Sequence, residues 1–170
     1  VFPFYEWLND KESIRYSLSI FQKINSPAEV DLWFNTILND KTNLNLGIFL
    51  KDSDKLIGYA GICSLSSINK SGEYFIFIGD KSQWGKGIGY VVTRQILKIA
   101  FLEKGLHRLM LTVSEPNIGG VKAYLKAGFT PEGKLRQACF RGGAYHDKII
   151  MSVLKDEYLK SMNYTDLYLK

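Results

Sequence analysis

Helices and strands alternate along this chain, which predicts an α/β (α+β) fold, and three observations carry that reading. The run Tyr74-Phe75-Ile76-Phe77-Ile78 is apolar, rich in β-forming residues and too short for an ordinary helix. Ile88, Val92, Ile96 and Ile99 then recur at helical spacing up to Glu103-Lys104-Gly105, a plausible helix stop. Between the two lies Gln83-Trp84-Gly85-Lys86-Gly87-Ile88-Gly89-Tyr90. The local order is therefore buried strand, glycine-rich turn, amphipathic helix.

The remaining elements follow in turn. Phe4 to Leu8 and Lys11 to Phe21 read as a first helical region. Ser26-Pro27-Ala28-Glu29 opens the next helix, with Ser26 as N-cap, Pro27 in the first position and Glu29 placed to close a capping box. That helix is expected to run to about Leu38. Strands are expected at Leu44–Lys51, Leu56–Leu65 and Glu73–Gly79, joined by hairpin turns at Lys51-Asp52-Ser53-Asp54 and Asn69-Lys70-Ser71-Gly72. After the glycine turn and its helix come a strand at His107–Val113, a short helix ending at Ala127, and two strands at Phe129–Phe140 and Tyr145–Leu154. A last short helix beyond Lys155 is expected, and no internal repeat is visible.

Composition narrows the function classes. The 170 residues are 46% hydrophobic and 14% aromatic, which argues for a single packed domain over residues 1–170 and against disorder. The net charge of +5 comes from Lys and Arg scattered among acidic residues, with no basic stripe, so nucleic-acid binding is not expected. Cys63 and Cys139 lack metal-ligand spacing and fall in expected strands, as small hydrophobes do in a reducing compartment. No apolar run reaches membrane-spanning length and no signal peptide is visible, so a cytoplasmic location is expected.

The glycine turn carries chemistry. Glycines at alternate positions let backbone approach a ligand with no Cβ in the way, and the helix that follows aims its free N–H groups at the turn. That combination makes an anion site suited to a phosphate or pyrophosphate. It is not a P-loop, because five residues separate Gly79 from Gly85 and Gly87 follows Lys86 where a hydroxyl is needed. Nor is it a dinucleotide fingerprint, because the spacing is Gly-x-Gly-x-Gly.

Trp84-Gly85-Lys86-Gly87-Ile88-Gly89 resembles the Arg/Gln-x-x-Gly-x-Gly/Ala turn of the GNAT superfamily, with Trp84 where Arg or Gln is usual. That Trp-Gly-Lys-Gly form is similar to the branch of ribosomal-protein N-terminal acetyltransferases. A second motif agrees: Asn117, Gly120, Tyr124 and Gly128-Phe129 stand where the superfamily has Asn, a small residue, Tyr and Gly-Phe after a strand. Glu132-Gly133-Lys134-Leu135-Arg136 with Gly143-Ala144-Tyr145-His146-Asp147 resembles the closing hairpin of the same branch. The resemblance spans roughly Leu46 to Leu154. It implies a mixed, mostly antiparallel sheet flanked by helices and splayed between its two central strands. It also implies that some native N-terminal residues are absent from this numbering, since related enzymes begin with a short strand earlier.

The implied activity is acetyl transfer from acetyl-CoA to a primary amine of a small molecule, such as an amino sugar, or of a protein N-terminus. A CoA-binding sensor with little catalysis is the alternative. The resemblance assigns the pyrophosphate to Trp84, Gly85, Lys86, Gly87, Ile88, Gly89 and Tyr90, and the pantetheine arm to the backbone edge at Phe77, Ile78 and Gly79. Asn117 would bond the cofactor or cap its helix, and Lys126, with Lys122, would reach the outer phosphate. Tyr124 is the candidate general acid. Glu73 is the candidate base, with water-mediated deprotonation as the alternative. His107 reads as structural, and His146 as a turn-adjacent or substrate-side residue. Arg136 and Asp147 are expected to pair across the closing hairpin. Phe4, Tyr5 and Trp7, with Trp33, could wall the acceptor pocket, but an amphipathic core helix explains most of them more simply. The edge at Phe129–Phe140 could support a homodimer.

Overall fold

The computed structural model describes residues 2–24 and 26–162. Its centre is a six-stranded sheet in the order β1-β2-β3-β4-β6-β5, formed by β1 (Leu44–Phe49), β2 (Leu56–Ser66), β3 (Ser71–Ile78), β4 (Arg108–Ser114), β5 (Thr130–Arg141) and β6 (Ala144–Leu154). Every neighbouring pair is antiparallel except β3 and β4, whose parallel pairing needs a crossover that carries a helix. The strands expected from alternation all form, with ends that differ by one to two residues.

Each face of the sheet buries its own core. On one face α1 (Phe2–Asn9), the turn at Ser19–Gln22 and α2 (Pro27–Asn39) pack Phe4, Trp7, Leu8, Phe21 and Val30 against Tyr59 and Phe77. Phe4 meets Trp7, Trp33 and Tyr59 edge-on at 5.1 to 5.7 Å, so the amino-end aromatics are core. The capping box forms as expected: Ser26 Oγ accepts from Glu29 N–H, and the Glu29 carboxylate accepts from Ser26 N–H. On the other face α3 (Ile88–Lys98) and α4 (Ile118–Ala127) cover Ile62, Tyr74, Leu109, Leu111, Val113 and Met151. α3 runs on into one wider turn, Ile99–Glu103, where Lys104 N–H reaches back five residues to Ile99 O. α5 (Lys155–Ser161) seats Tyr158 on Phe101 at 5.2 Å, and the tail after Met162 lies outside the described residues.

Two expectations need correction. Lys11–Phe21 is not a helix but a chain of turns ending in a single tight turn at Ser19–Gln22. Its polar side chains satisfy backbone locally: Asp10 Oδ1 accepts from the N–H groups of Glu12 and Ser13, and Ser17 Oγ and Gln22 Nε2 both donate to Ile14 O. Arg136 and Asp147 do not pair either. Arg136 falls in a bulge between Leu135 and Cys139, and Asp147 Oδ1 instead accepts the Gln137 N–H at 2.9 Å, where Gln137 sits at φ +49°.

An ion pair ties the far end of the sheet. Arg108 on β4 holds Glu132 on β5 through both guanidinium nitrogens, and Ser152 Oγ donates to Glu132 Oε1 at 2.7 Å. These bonds hold the Glu132 carboxyl at about 2, below its ordinary 4.5. A lowered carboxylate pKa stabilises the fold above the unfolded value and is lost as pH falls through the folded one. The melting-temperature gap between wild type and Glu132→Gln should therefore be widest above pH 5 and close between about pH 4.5 and 2.

Candidate active site

The glycine turn owes its shape to bonds at both ends. β3 ends at Ile78, whose carbonyl accepts the Trp84 indole N–H at 2.9 Å, folding the turn back over the strand. Asp80 holds the intervening turn through Ser82 N–H and pairs with Lys55 at 2.8 Å. Gly85 and Gly87 sit at φ +73° and +79°, and Gly87 caps α3 with no side chain, so the first N–H groups of α3 are open. A Cβ at Gly85, Gly87 or Gly89 would meet nothing within 4 Å. This open cradle at a helix N-terminus fits an anionic phosphate group. Lys86 Nζ bonds Gln83 Oε1, and Lys126 stands 4.7 Å over the Tyr90 ring.

Beside the turn the central strands part. β3 and β4 pair only at Ser71–Glu73 with Arg108–Met110, and beyond that their facing edges diverge. Gly79 N–H donates to Ile57 O on the β2 side, so strand alternation turns the N–H of Ile78 and both backbone groups of Ile76 toward the gap. Phe77 faces its β2 partner Tyr59. The Gly79 backbone is already engaged, its N–H with Ile57 O and its carbonyl with Ser13 Oγ at 3.2 Å. Its smallness serves packing instead, because a Cβ there would lie 2.1 Å from Trp7.

Two cavities open from this gap. One, about 450 Å³, runs from Ile76, Phe77 and Ile78 to Trp84, Gly85, Gly87, Ile88 and Gly89. The other, about 380 Å³, lies on the α1–α2 side and is walled by Glu73, Phe75, Thr112, Ser114, Asp40, Arg141 and Lys148. They share Tyr16, Ser17, Ile76, Asn117 and Tyr124. A long cofactor arm in the first and a small acceptor in the second would meet at that junction.

Tyr124 rises from α4 into the junction. Its ring meets Tyr74 and Phe129 edge-on, both at 6.1 Å, and its hydroxyl has no hydrogen-bond partner among the described residues. Burial pushes its pKa up to about 12, so the phenol is protonated throughout the physiological range. Tyr74 is held by a hydroxyl bond to Thr93 at 3.0 Å, and Thr93 donates to Gly89 O. Asn117 caps α4 through Gly120 N–H at 3.1 Å, beside both cavities. Glu73 lies on the same face as Phe75, in the second cavity, and its carboxylate has no partner among the described residues. His107 and His146 line neither cavity, and neither does Lys126.

Sequence reasoning missed the Tyr16–Ser17 segment, Arg141 and Lys148. The first has the apolar spacing of a helix but forms turns. Lys148 was readable in principle, because strand alternation sets it with Ile150 and Ser152, opposite the core residues Ile149, Met151 and Val153.

Comparisons with known proteins agree with this architecture. The family description "Acetyltransferase (GNAT) domain" matches residues 2–130. The chain is 26% identical over 147 residues to the N-acetyltransferase YoaA of Bacillus subtilis (strain 168), which is named as uncharacterized, covering 86% of this chain and 82% of that protein. It is 28% identical over 102 residues to spermidine N(1)-acetyltransferase of Escherichia coli (strain K12), covering 60% of this chain and 54% of that protein. The crystal structure of spermidine N-acetyltransferase from Vibrio cholerae in complex with CoA and spermine superposes with a TM-score of 0.80 at 25% identity, over 92% of this chain and 90% of that one. Glycine cradle, splayed strands and family match converge, and the chain belongs to the GNAT acetyltransferases as an acetyl-CoA-dependent N-acetyltransferase of primary amines.

Proposed function

We propose that residues 1–170 form one catalytic domain in which the two cavities divide the reaction: acetyl-CoA along the glycine turn and the β3 edge, the amine against Glu73, and transfer at Tyr124. The carrying observation is the junction, where the unpartnered Tyr124 hydroxyl and the free Ile76 edge face both cavities.

Acetyl-CoA supplies an activated thioester. The open N–H groups at Gly87–Tyr90 hold its pyrophosphate, and the Ile76–Ile78 edge hydrogen-bonds the pantetheine arm and polarises the thioester carbonyl. The amine must lose a proton to attack; Glu73 accepts it directly or through a water. As the new C–N bond forms and the C–S bond breaks, Tyr124 O–H donates to the departing sulfur. With its pKa at about 12, Tyr124 is a weaker acid than a thiol, so it stabilises the thiolate first by hydrogen bonding. A pure sensor has no use for an acid placed at this junction.

A cytoplasmic location accords with the absence, among the described residues, of any helix long and apolar enough to cross a membrane. A homodimer across the β5 edge accords with the exposure of Phe140 and Tyr145, and sedimentation would test it.

Hydrogen exchange with and without CoA tests the cofactor assignment. Protection is expected at Ile76–Ile78 and Gln83–Tyr90 and not at Lys148. Protection of the Glu73–Lys148 cavity alone would reverse the two roles.

A further inference from the structure

The acceptor cavity is lined by charges of both signs, and they are not spent on one another. Asp40 is occupied locally: its carboxylate accepts from Thr42 and Asn43, which hold its pKa well below the ordinary value. Glu73 is the free carboxylate. At the other side, Lys148 is half-buried with no hydrogen bond or ion pair among the described residues. Arg141 donates only to neutral oxygens, the carbonyls of Phe140 and Ser17 and the hydroxyl of Ser19. Among the described residues no carboxylate neutralises either cation, whereas on the surface Lys134 and Lys55 each pair with one and Lys81 with two.

The register sets the separation. Glu73 lies opposite Met110 on β4, and Lys148 lies opposite Ser114. Those positions are four residues apart, about 13 Å along the strand, and both residues face the α1–α2 side of the sheet. The transfer junction at Ile76, Asn117 and Tyr124 opens on this same cavity. Unpaired ions in a half-buried cavity are costly unless a ligand completes them.

Resting on the reading of this cavity as the acceptor site, we propose that the acceptor is a primary amine carrying an anionic group several bonds from its nitrogen. The amine is received on the Glu73 side and the anion by Lys148 and Arg141. Carboxylate and phosphate share this chemistry. A polyamine, the ligand in the Vibrio cholerae structure, would instead bring a second cation against Lys148 and Arg141.

Thiol release from acetyl-CoA against matched amines tests this. One series is 4-aminobutyrate, butylamine and 1,4-diaminobutane; a second is glucosamine 6-phosphate and glucosamine. The anionic member of each is expected to lead in kcat/KM by about 10- to 100-fold, the scale of a hydrogen bond to a charged group. The first series reads carboxylate and the second phosphate. In Lys148→Ala the anionic amines should lose at least about tenfold more than butylamine, and Lys148→Glu should shift preference toward the diamine. Circular dichroism of both variants establishes that the sheet is retained. Preference of the wild type for the diamine, or equal rates across both series, overturns this proposal and leaves the acetyltransferase site standing. No thiol release with any amine overturns the site assignment as well.

Discussion

Tyr124→Phe is expected to lower kcat by about 10²- to 10⁴-fold, the range of a positioned acid, while KM for acetyl-CoA changes little. The variant keeps the ring that meets Tyr74 and Phe129 and removes only a hydroxyl with no protein partner, so the fold should not suffer. A melting curve close to wild type beside a collapsed kcat is the diagnostic pair. The pH profile offers a second check. With Tyr124 at about 12, its protonated form is the working form up to that pH. The wild type should show no loss of kcat from this group through about pH 10, and the rising limb should belong to deprotonation of the amine. A retained kcat in Tyr124→Phe would remove the residue from the chemistry.

The second large effect concerns the cradle. Gly87→Val forces a β-branched residue to φ +79°, which costs about 1–2 kcal/mol of stability, and pushes its side chain into the space left for the pyrophosphate. KM for acetyl-CoA should rise at least about tenfold, the equivalent of roughly 1.4 kcal/mol of lost binding. Gly89→Ala separates strain from obstruction. Gly89 lies in the first turn of α3 without a positive φ, so alanine there should hold or raise the melting temperature while still weakening acetyl-CoA. If Gly89→Ala bound acetyl-CoA as wild type does, the α3 N-terminus would not be the phosphate site.

How far the sequence told this story differs from element to element. The strand-turn-helix at Tyr74–Lys98 was legible because its hydrophobic period changes from near-continuous to helical across a run of glycines. The Asn117–Phe129 helix was legible for similar reasons: an N-cap at one end and Gly128 at φ +109° at the other. The Lys11–Phe21 turns were not, because their apolar spacing suits a helix while the decisive contacts are side-chain bonds to local backbone and Ser13 to Gly79. That Gly79 also has to be small was not legible, because it depends on Trp7 packing from a distant helix. The bulge at Arg136 shifted a cross-strand partner by geometry that no local pattern announces. Lys148 gained its meaning from what surrounds it in space, a cavity in which no carboxylate of the described residues pairs with it.

The most direct test of the central claim is to follow thiol release from acetyl-CoA and, in the same reaction, the mass of the amine product. Amine-dependent thiol release matched mole for mole by an N-acetylated amine, and abolished in step by Tyr124→Phe, is the expected result. Tight acetyl-CoA binding with no acetylated product from any amine would contradict it and leave a CoA-binding fold without catalysis.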